Sequence, residues 1–218
     1  KNRAKSPGNK NLTKNFTEIS DRLSQDNGNI NWQTVASFAA LRNKFTVISG
    51  GPGTGKTSII TTIIATILSS DSQSKIAICA PTGKAAARIK ESIKDEIEHL
   101  NCNPQVKDEL QNLDTYTIHR LLGAKYKSPF FRHDRENKLP HDWIIVDESS
   151  MVDLPLMAKL FQAIAKDTNT ILLGDKDQLA SVEAGAILND LCEKADLNGF
   201  SQDFQQEFQN ITNQALNL

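Results

Sequence analysis

With 218 residues, 39% of them hydrophobic, the chain can bury one ordinary core and is short for two full domains. A formal net charge of −1 gives no global basic field, so any nucleic-acid partner must be met by a local track of cations. Three scattered cysteines without metal-ligand spacing read as reduced thiols of a cytoplasmic protein; no apolar run approaches the roughly 20 residues of a membrane helix, and the polar opening is unlike a signal peptide.

From Lys1 to Ile30 the chain is rich in Lys, Asn, Ser and Gly and reads as a polar linker or the remnant of an N-terminal region, with "FTEISDRLSQ" able to form one short helix. With no initiator Met, the sequence is expected to be a piece of something longer. "NWQTVASFAALRN" places Trp32, Val35, Phe38, Ala39 and Leu41 at near-helical spacing, and "KFTVIS" follows as an apolar run of strand length. The alternation continues with a helix from Lys56 to Leu68, a strand from Lys75 to Ala80, a helix from Gly83 to Leu100 and a strand from Trp143 to Asp147. A helix from Leu154 to Ala165, a strand from Thr170 to Gly174 and a helix near Ala184 to Lys194 complete it. Strands apolar on both faces and separated by helices predict an α/β fold, a parallel sheet covered on both sides.

Between the second and third of these strands, "NLDTYTIHRLLGAKYKSPFFRHDRENKLPHD" reads as an insertion too polar and irregular for core, and loops of that length are usually functional or disordered. The stretch from residue 31 to 197 is then the main domain. The tail from 198 to 218 sets Phe204, Phe208, Ile211 and Ala215 at helical steps, an amphipathic helix in need of a partner surface.

"GGPGTGKT" meets the G-x-x-x-x-G-K-T pattern of a P-loop between a strand and a helix. Backbone N–H groups from Gly50, Gly51, Pro52's neighbour Gly53, Thr54, Gly55 and Ser58 and the helix N-terminus would cradle phosphates, with Pro52 shaping the loop. Lys56 would reach the β and γ oxygens, and Thr57 would hold Mg²⁺. "WIIVDESSM" supplies Asp147 for the metal and Glu148 to orient water, although acidic residues at strand ends also serve as helix caps. In "LLGDKDQLASVEAG", Gln178 is a candidate γ-phosphate sensor. Gln33 can offer a donor and an acceptor to the N6/N7 edge of adenine, and no guanine-reading "NKxD" occurs, which favours ATP over GTP.

The order of "NWQTVA", "VISGGPGTGKT", "APTGKAAARI", "TIHRLLGA", "DESSMVDLPLM" and "LGDKDQLASVEAGAIL" resembles the superfamily 1 DNA helicases, and within them the RecD family, the α subunits of exodeoxyribonuclease V. The resemblance spans Ile30 to Leu191 and implies the first RecA-like motor domain of a 5′→3′ ATP-driven helicase. It implies a place beside RecB and RecC in double-strand-break repair and recombination, with ATP and Mg²⁺ as cofactors. In that family Gln33 reads adenine, Lys56 and Thr57 serve phosphate and metal, Asp147 and Glu148 serve metal and water, and Gln178 senses the γ-phosphate. Single-stranded DNA would meet Thr82, Gly83, Lys84 and Arg88 at a helix start, and Thr117, His119 and Arg120 at a turn.

Such helicases carry a second RecA-like domain whose arginine completes the ATP site; nothing like it follows here, so the chain is expected to bind ATP, hydrolyse it weakly and not unwind DNA alone. A trans arginine is worth roughly 10³ to 10⁵ in turnover in P-loop enzymes. The rival readings are a protein-remodelling P-loop ATPase and a non-enzymatic docking module. Salt-dependent oligonucleotide binding separates the helicase from both.

Overall fold

The computed structural model describes residues 9–20, 30–128, 130–178, 187–193 and 199–216. Five parallel strands among them form one sheet: β1 (Phe45–Ser49), β2 (Ile76–Ala80), β3 (Thr115–Thr117), β4 (Trp143–Val146) and β5 (Asn169–Gly174), in the order β1-β5-β4-β2-β3. In β2 the residues alternate between two cores, as period-2 geometry requires. Ile78 and Ala80 join Ile145, Ile171 and Leu173 on one face, while Ala77 and Cys79 join Ile144, Val146 and Leu172 on the other.

The first face is covered by α3 (Lys56–Ser70), α4 (Gly83–Ile97) and α5 (Pro104–Gln111). Every residue of α3 from Ile59 to Leu68 is buried, so this helix lies inside the molecule and is apolar nearly all round. Its buried threonines cost little because their hydroxyls turn inward on the helix: Thr61 and Thr66 donate to the carbonyls of Thr57 and Thr62, both at 2.8 Å. The second face is covered by α6 (Ile118–Leu122) and α7 (Leu154–Ala163). A parallel sheet with helices on both sides is the RecA-like α/β arrangement expected from the sequence.

The supposed insertion is part of this scaffold. β3 pairs in parallel with β2, Thr117 opposite Ala80, and Ile118, Leu121, Leu122 and Leu139 are buried against the second face. A three-residue strand is too short to show a period, and its residues are only half-buried at the sheet edge, so the sequence carries no strand signal there. The expected helix near Ala184 to Lys194 is observed as α8 (Ile187–Glu193); 184–186 and 194 lie outside the described residues.

Within the N-terminal stretch read as a linker, α1 (Asn9–Ser20) places Phe16 and Ile19 in the interior; 1–8 and 21–29 lie outside the described residues. Phe16 meets Phe38 of α2 (Trp32–Arg42), which sits edge-on to Phe204 and Phe208 of α9 (Gln202–Thr212) at centroid distances of 5.2 and 5.5 Å. Arg42 Nε donates to Glu207 Oε2 at 2.7 Å beside this aromatic cluster, and Thr17 donates to the Ile211 carbonyl at 3.0 Å. The amphipathic tail helix thus has its partner surface in α2 and α1.

Candidate nucleotide and DNA site

The residues singled out by the motifs follow the carboxyl ends of the five strands, where parallel α/β sheets form their ligand crevices. The P-loop follows β1, Asp147 and Glu148 follow β4, and Asp175 to Gln178 follow β5. Thr82 to Arg88 follow β2, and Thr117 and His119 follow or end β3. Because the order is β1-β5-β4-β2-β3, the nucleotide candidates occupy three neighbouring strand ends and the DNA candidates the two beside them.

The P-loop is shaped by two glycines with positive φ, Gly53 at 76° and Gly55 at 81°, a region open to glycine without Cβ strain. Gly50 N donates to the Gly174 carbonyl at 3.0 Å, tying the loop to β5, and Thr54 Oγ1 donates to the Gly51 carbonyl at 2.8 Å. The ammonium of Lys56 is folded back onto the carbonyls of Gly50 and Gly51, at 3.0 Å from the latter. Gln33 Nε2 donates to the Thr54 carbonyl at 3.1 Å, and a Cβ on Gly55 would collide with that amide. Gln33 therefore sits against the P-loop, held by α2, whose start is capped by the Asn31 side chain accepting from Gln33 N and Thr34 N.

A cavity of about 560 Å³ opens beside the loop, lined by Gly51, Gly53, Lys56 and Thr57 from the loop side and by Asp147, Glu148 and Gln178 from the sheet side. Asp147 N donates to the Cys79 carbonyl at 2.9 Å, which fixes its backbone to β2, while its Oδ1 is buried without a hydrogen-bond partner. Burial pushes the Asp147 carboxyl above its ordinary value, reinforced by the Glu148 charge and opposed by its backbone hydrogen bond and by the Lys56 and Arg88 cations. The unpartnered carboxylate oxygen of Asp147 and the Thr57 hydroxyl, lining one cavity, are oxygen donors of the kind a hard divalent cation takes. Glu148 has a left-handed backbone, φ 50°, and leads into a short 3₁₀ turn, Ser149–Met151. That turn is pinned by the Ser149 hydroxyl donating to the Leu173 carbonyl at 2.7 Å.

Gln178 is held in the cavity by Ser150, whose hydroxyl donates to its Oε1 at 3.4 Å, and Gln178 N donates to the Asp175 carbonyl at 3.3 Å. Thr82 caps α4 by accepting from Ala85 N at 3.2 Å, and Thr117 caps α6 by accepting from Arg120 N at 3.1 Å. His119 lies 5.9 Å from the Phe131 ring, centroid to centroid, exposed beside the sheet edge.

The structure brings Lys56, Thr57, Asp147, Glu148 and Gln178 together, and adds Thr82, Lys84 and Arg88 to the same cavity wall. Gln33, Thr117 and His119 do not line it. Three participants were missed in the sequence: Ser150, which orients Gln178, and Ser92 and Glu96 on α4. Glu96 accepts from the Ser58 hydroxyl at 2.8 Å, joining α4 to the P-loop helix. The recurrence of polar residues every fourth position, Lys84, Arg88, Ser92 and Glu96, was the available signal.

A family model described as AAA domain matches residues 33–184. The chain is 46% identical to the RecBCD enzyme subunit RecD of Mycolicibacterium smegmatis over 176 residues, covering 78% of this chain and 31% of that one. It is 47% identical over 174 residues to the RecBCD enzyme subunit RecD of Mycobacterium tuberculosis strain H37Rv, covering 78% and 29%. Against the ATP-dependent RecD2 DNA helicase of Deinococcus radiodurans it is 35% identical over 173 residues, covering 79% and 21%. The chain spans less than a third of the length of these curated relatives.

Proposed function

Because the chain belongs to the AAA domain family, we propose that it is the ATP-binding motor domain of a 5′→3′ DNA helicase subunit, acting with RecB and RecC in cytoplasmic double-strand-break repair and recombination. The observation that carries the nucleotide part is the buried, unpartnered Asp147 Oδ1 on the wall of the cavity that Lys56 and Thr57 line. The names of the RecD and RecD2 relatives support DNA as the track and RecB and RecC as partners.

In this reading the loop amides and the α3 N-terminus hold the phosphates, and Lys56 exchanges its loop carbonyls for the β and γ oxygens. Thr57 and Asp147 hold Mg²⁺, which when bound neutralises phosphate charge. Glu148 orients the attacking water and accepts its proton, while Gln178, positioned by Ser150, responds to the γ-phosphate. Gln33 reads the adenine edge beside Thr54. Thr82, Gly83, Lys84, Thr117 and His119 meet single-stranded DNA at the ends of β2 and β3.

The cations that line the cavity among the described residues are Lys56, Lys84 and Arg88, all from this one domain. We therefore expect these 218 residues alone to bind Mg-ATP, to hydrolyse it slowly and not to unwind DNA. Phosphate release with and without single-stranded DNA, beside nucleotide binding by the natural chain and Lys56→Ala, tests this. The natural chain should bind ATP and turn over near background, and Lys56→Ala should bind at least about tenfold more weakly. Equal affinity in Lys56→Ala removes the phosphate assignment, and strong stimulation by DNA removes the slow-turnover reading.

A further inference from the structure

Arg88 stands one helical turn after Lys84 on α4, and a sequence reading puts both on DNA. Their surroundings differ from that expectation. Lys84, Arg88, Ser92 and Glu96 follow one another at steps of four along α4, and all four line the cavity that contains the P-loop, Asp147, Glu148 and Gln178. The alternate positions Ala86, Ile93 and Ile97 are buried in the core and set the rotation of the helix, so this polar row is aimed at the cavity by packing. At the far end of the row, Glu96 is already engaged by the Ser58 hydroxyl at 2.8 Å.

Arg88 has no such partner. The ion pairs among the described residues are Arg42–Glu207, Lys44–Asp167, Lys90–Asp114 and Lys176–Asp177, and the guanidinium of Arg88 belongs to none of them. It is a cation with five donors in a planar fork, the geometry that matches phosphate oxygens two at a time. Gln33 and Thr54 meet beside the P-loop, off the cavity wall, where an adenine would be read, whereas Asp147, Glu148 and Gln178 line the wall where a terminal phosphate would lie.

We propose that Arg88 is a ligand of the nucleotide's terminal phosphate, so that the helix carrying the DNA-facing Thr82–Lys84 turn also discriminates ATP from ADP. This rests on the reading of the cavity as an ATP site. It makes α4 a rigid link: one end meets the track and, one turn later, the same helix meets the phosphate that hydrolysis removes. In this arrangement Lys84, which lies in the first turn of α4 on the same wall, is the residue kept for the DNA.

The test titrates the chain, Arg88→Ala, Arg88→Lys and Lys84→Ala with Mg-ADP, with a non-hydrolysable Mg-ATP analogue, and with a single-stranded oligonucleotide over a range of salt. Arg88→Ala should weaken the ATP analogue by roughly tenfold or more with ADP affinity nearly unchanged. Arg88→Lys, a point charge without the fork, should recover part of that loss. Lys84→Ala should instead lower oligonucleotide affinity and make the salt slope shallower by about 1. An unchanged ratio of ATP-analogue to ADP affinity in Arg88→Ala overturns the proposal, and a shallower salt slope in that variant returns Arg88 to the DNA contacts. Failure of the natural chain to bind either nucleotide overturns the ATP-site reading itself and this inference with it, so the two failures are distinct.

Discussion

Asp147 shows how one residue can be costly to the fold and necessary to the site. Its carboxylate is largely removed from water, Oδ1 has no donor, and desolvation raises its pKa in the folded state. A carboxyl whose pKa is raised on folding carries its full stability penalty at pH above the folded value; the penalty fades as pH falls from there and is gone below the unfolded value of about 4. Asp147→Asn removes the buried charge at nearly constant volume. It is expected to raise stability by about 1 kcal/mol at neutral pH, with the gain vanishing in acid, while abolishing Mg²⁺-dependent nucleotide binding. Urea melts at several pH values and a nucleotide titration with and without Mg²⁺ check both parts. A loss of stability would mean that the backbone hydrogen bond at Glu148 outweighs the cost of burying the charge.

At the scale of elements, the site depends on how closely the 3₁₀ turn after β4 can lie on the end of β5. Gly174 permits it: a Cβ there would stand 2.7 Å from Leu188 Cδ2, 2.9 Å from Ser149 Oγ and 3.0 Å from Ser150 N. Two of those neighbours belong to the turn that follows Glu148, and Ser150 in turn holds Gln178. Gly174→Ala should therefore cost about 1–3 kcal/mol by overpacking. It should also weaken nucleotide binding, because the displaced turn carries Glu148 and the support of Gln178 with it. Denaturant unfolding and an affinity measurement on the same preparation test this; a stable variant with lowered affinity would place the strain in the site alone. The motif residues were legible here because a P-loop and an acidic strand end announce themselves in order. The close approach was not, since nothing in "ILLGDK" states what packs on Gly174.

For the whole molecule, the aromatic cluster of Phe16, Phe38, Phe204 and Phe208 binds elements from the two ends of the described chain onto α2. α2 also carries Gln33 against the P-loop, so this small core and the proposed nucleotide site share one helix. Phe208 is fully buried, and Phe208→Ala is expected to cost about 3–5 kcal/mol. Proteolysis should then begin near Gln202–Thr212, with nucleotide affinity retained while the chain stays folded. Limited proteolysis followed by mass analysis distinguishes this from global unfolding, in which cleavage would also appear within α3.

The sequence by itself determined the alternation of strands and helices, the P-loop, the acidic pair and the glutamine after β5, because each is encoded locally by a period of hydrophobicity or a short glycine pattern. Tertiary structure alone decided that Thr115–Thr117 is an edge strand, that α1 and α9 close over α2, and that Arg88 lies on the wall of the cavity beside the P-loop and not merely beside a helix start. Those outcomes depend on which faces meet across long separations in the chain: three residues become a strand only with β2 beside them, and the aim of an arginine is set by the rotation of a helix whose isoleucines pack in the core. Local pattern specifies what an element is; burial against distant partners specifies where its side chains point.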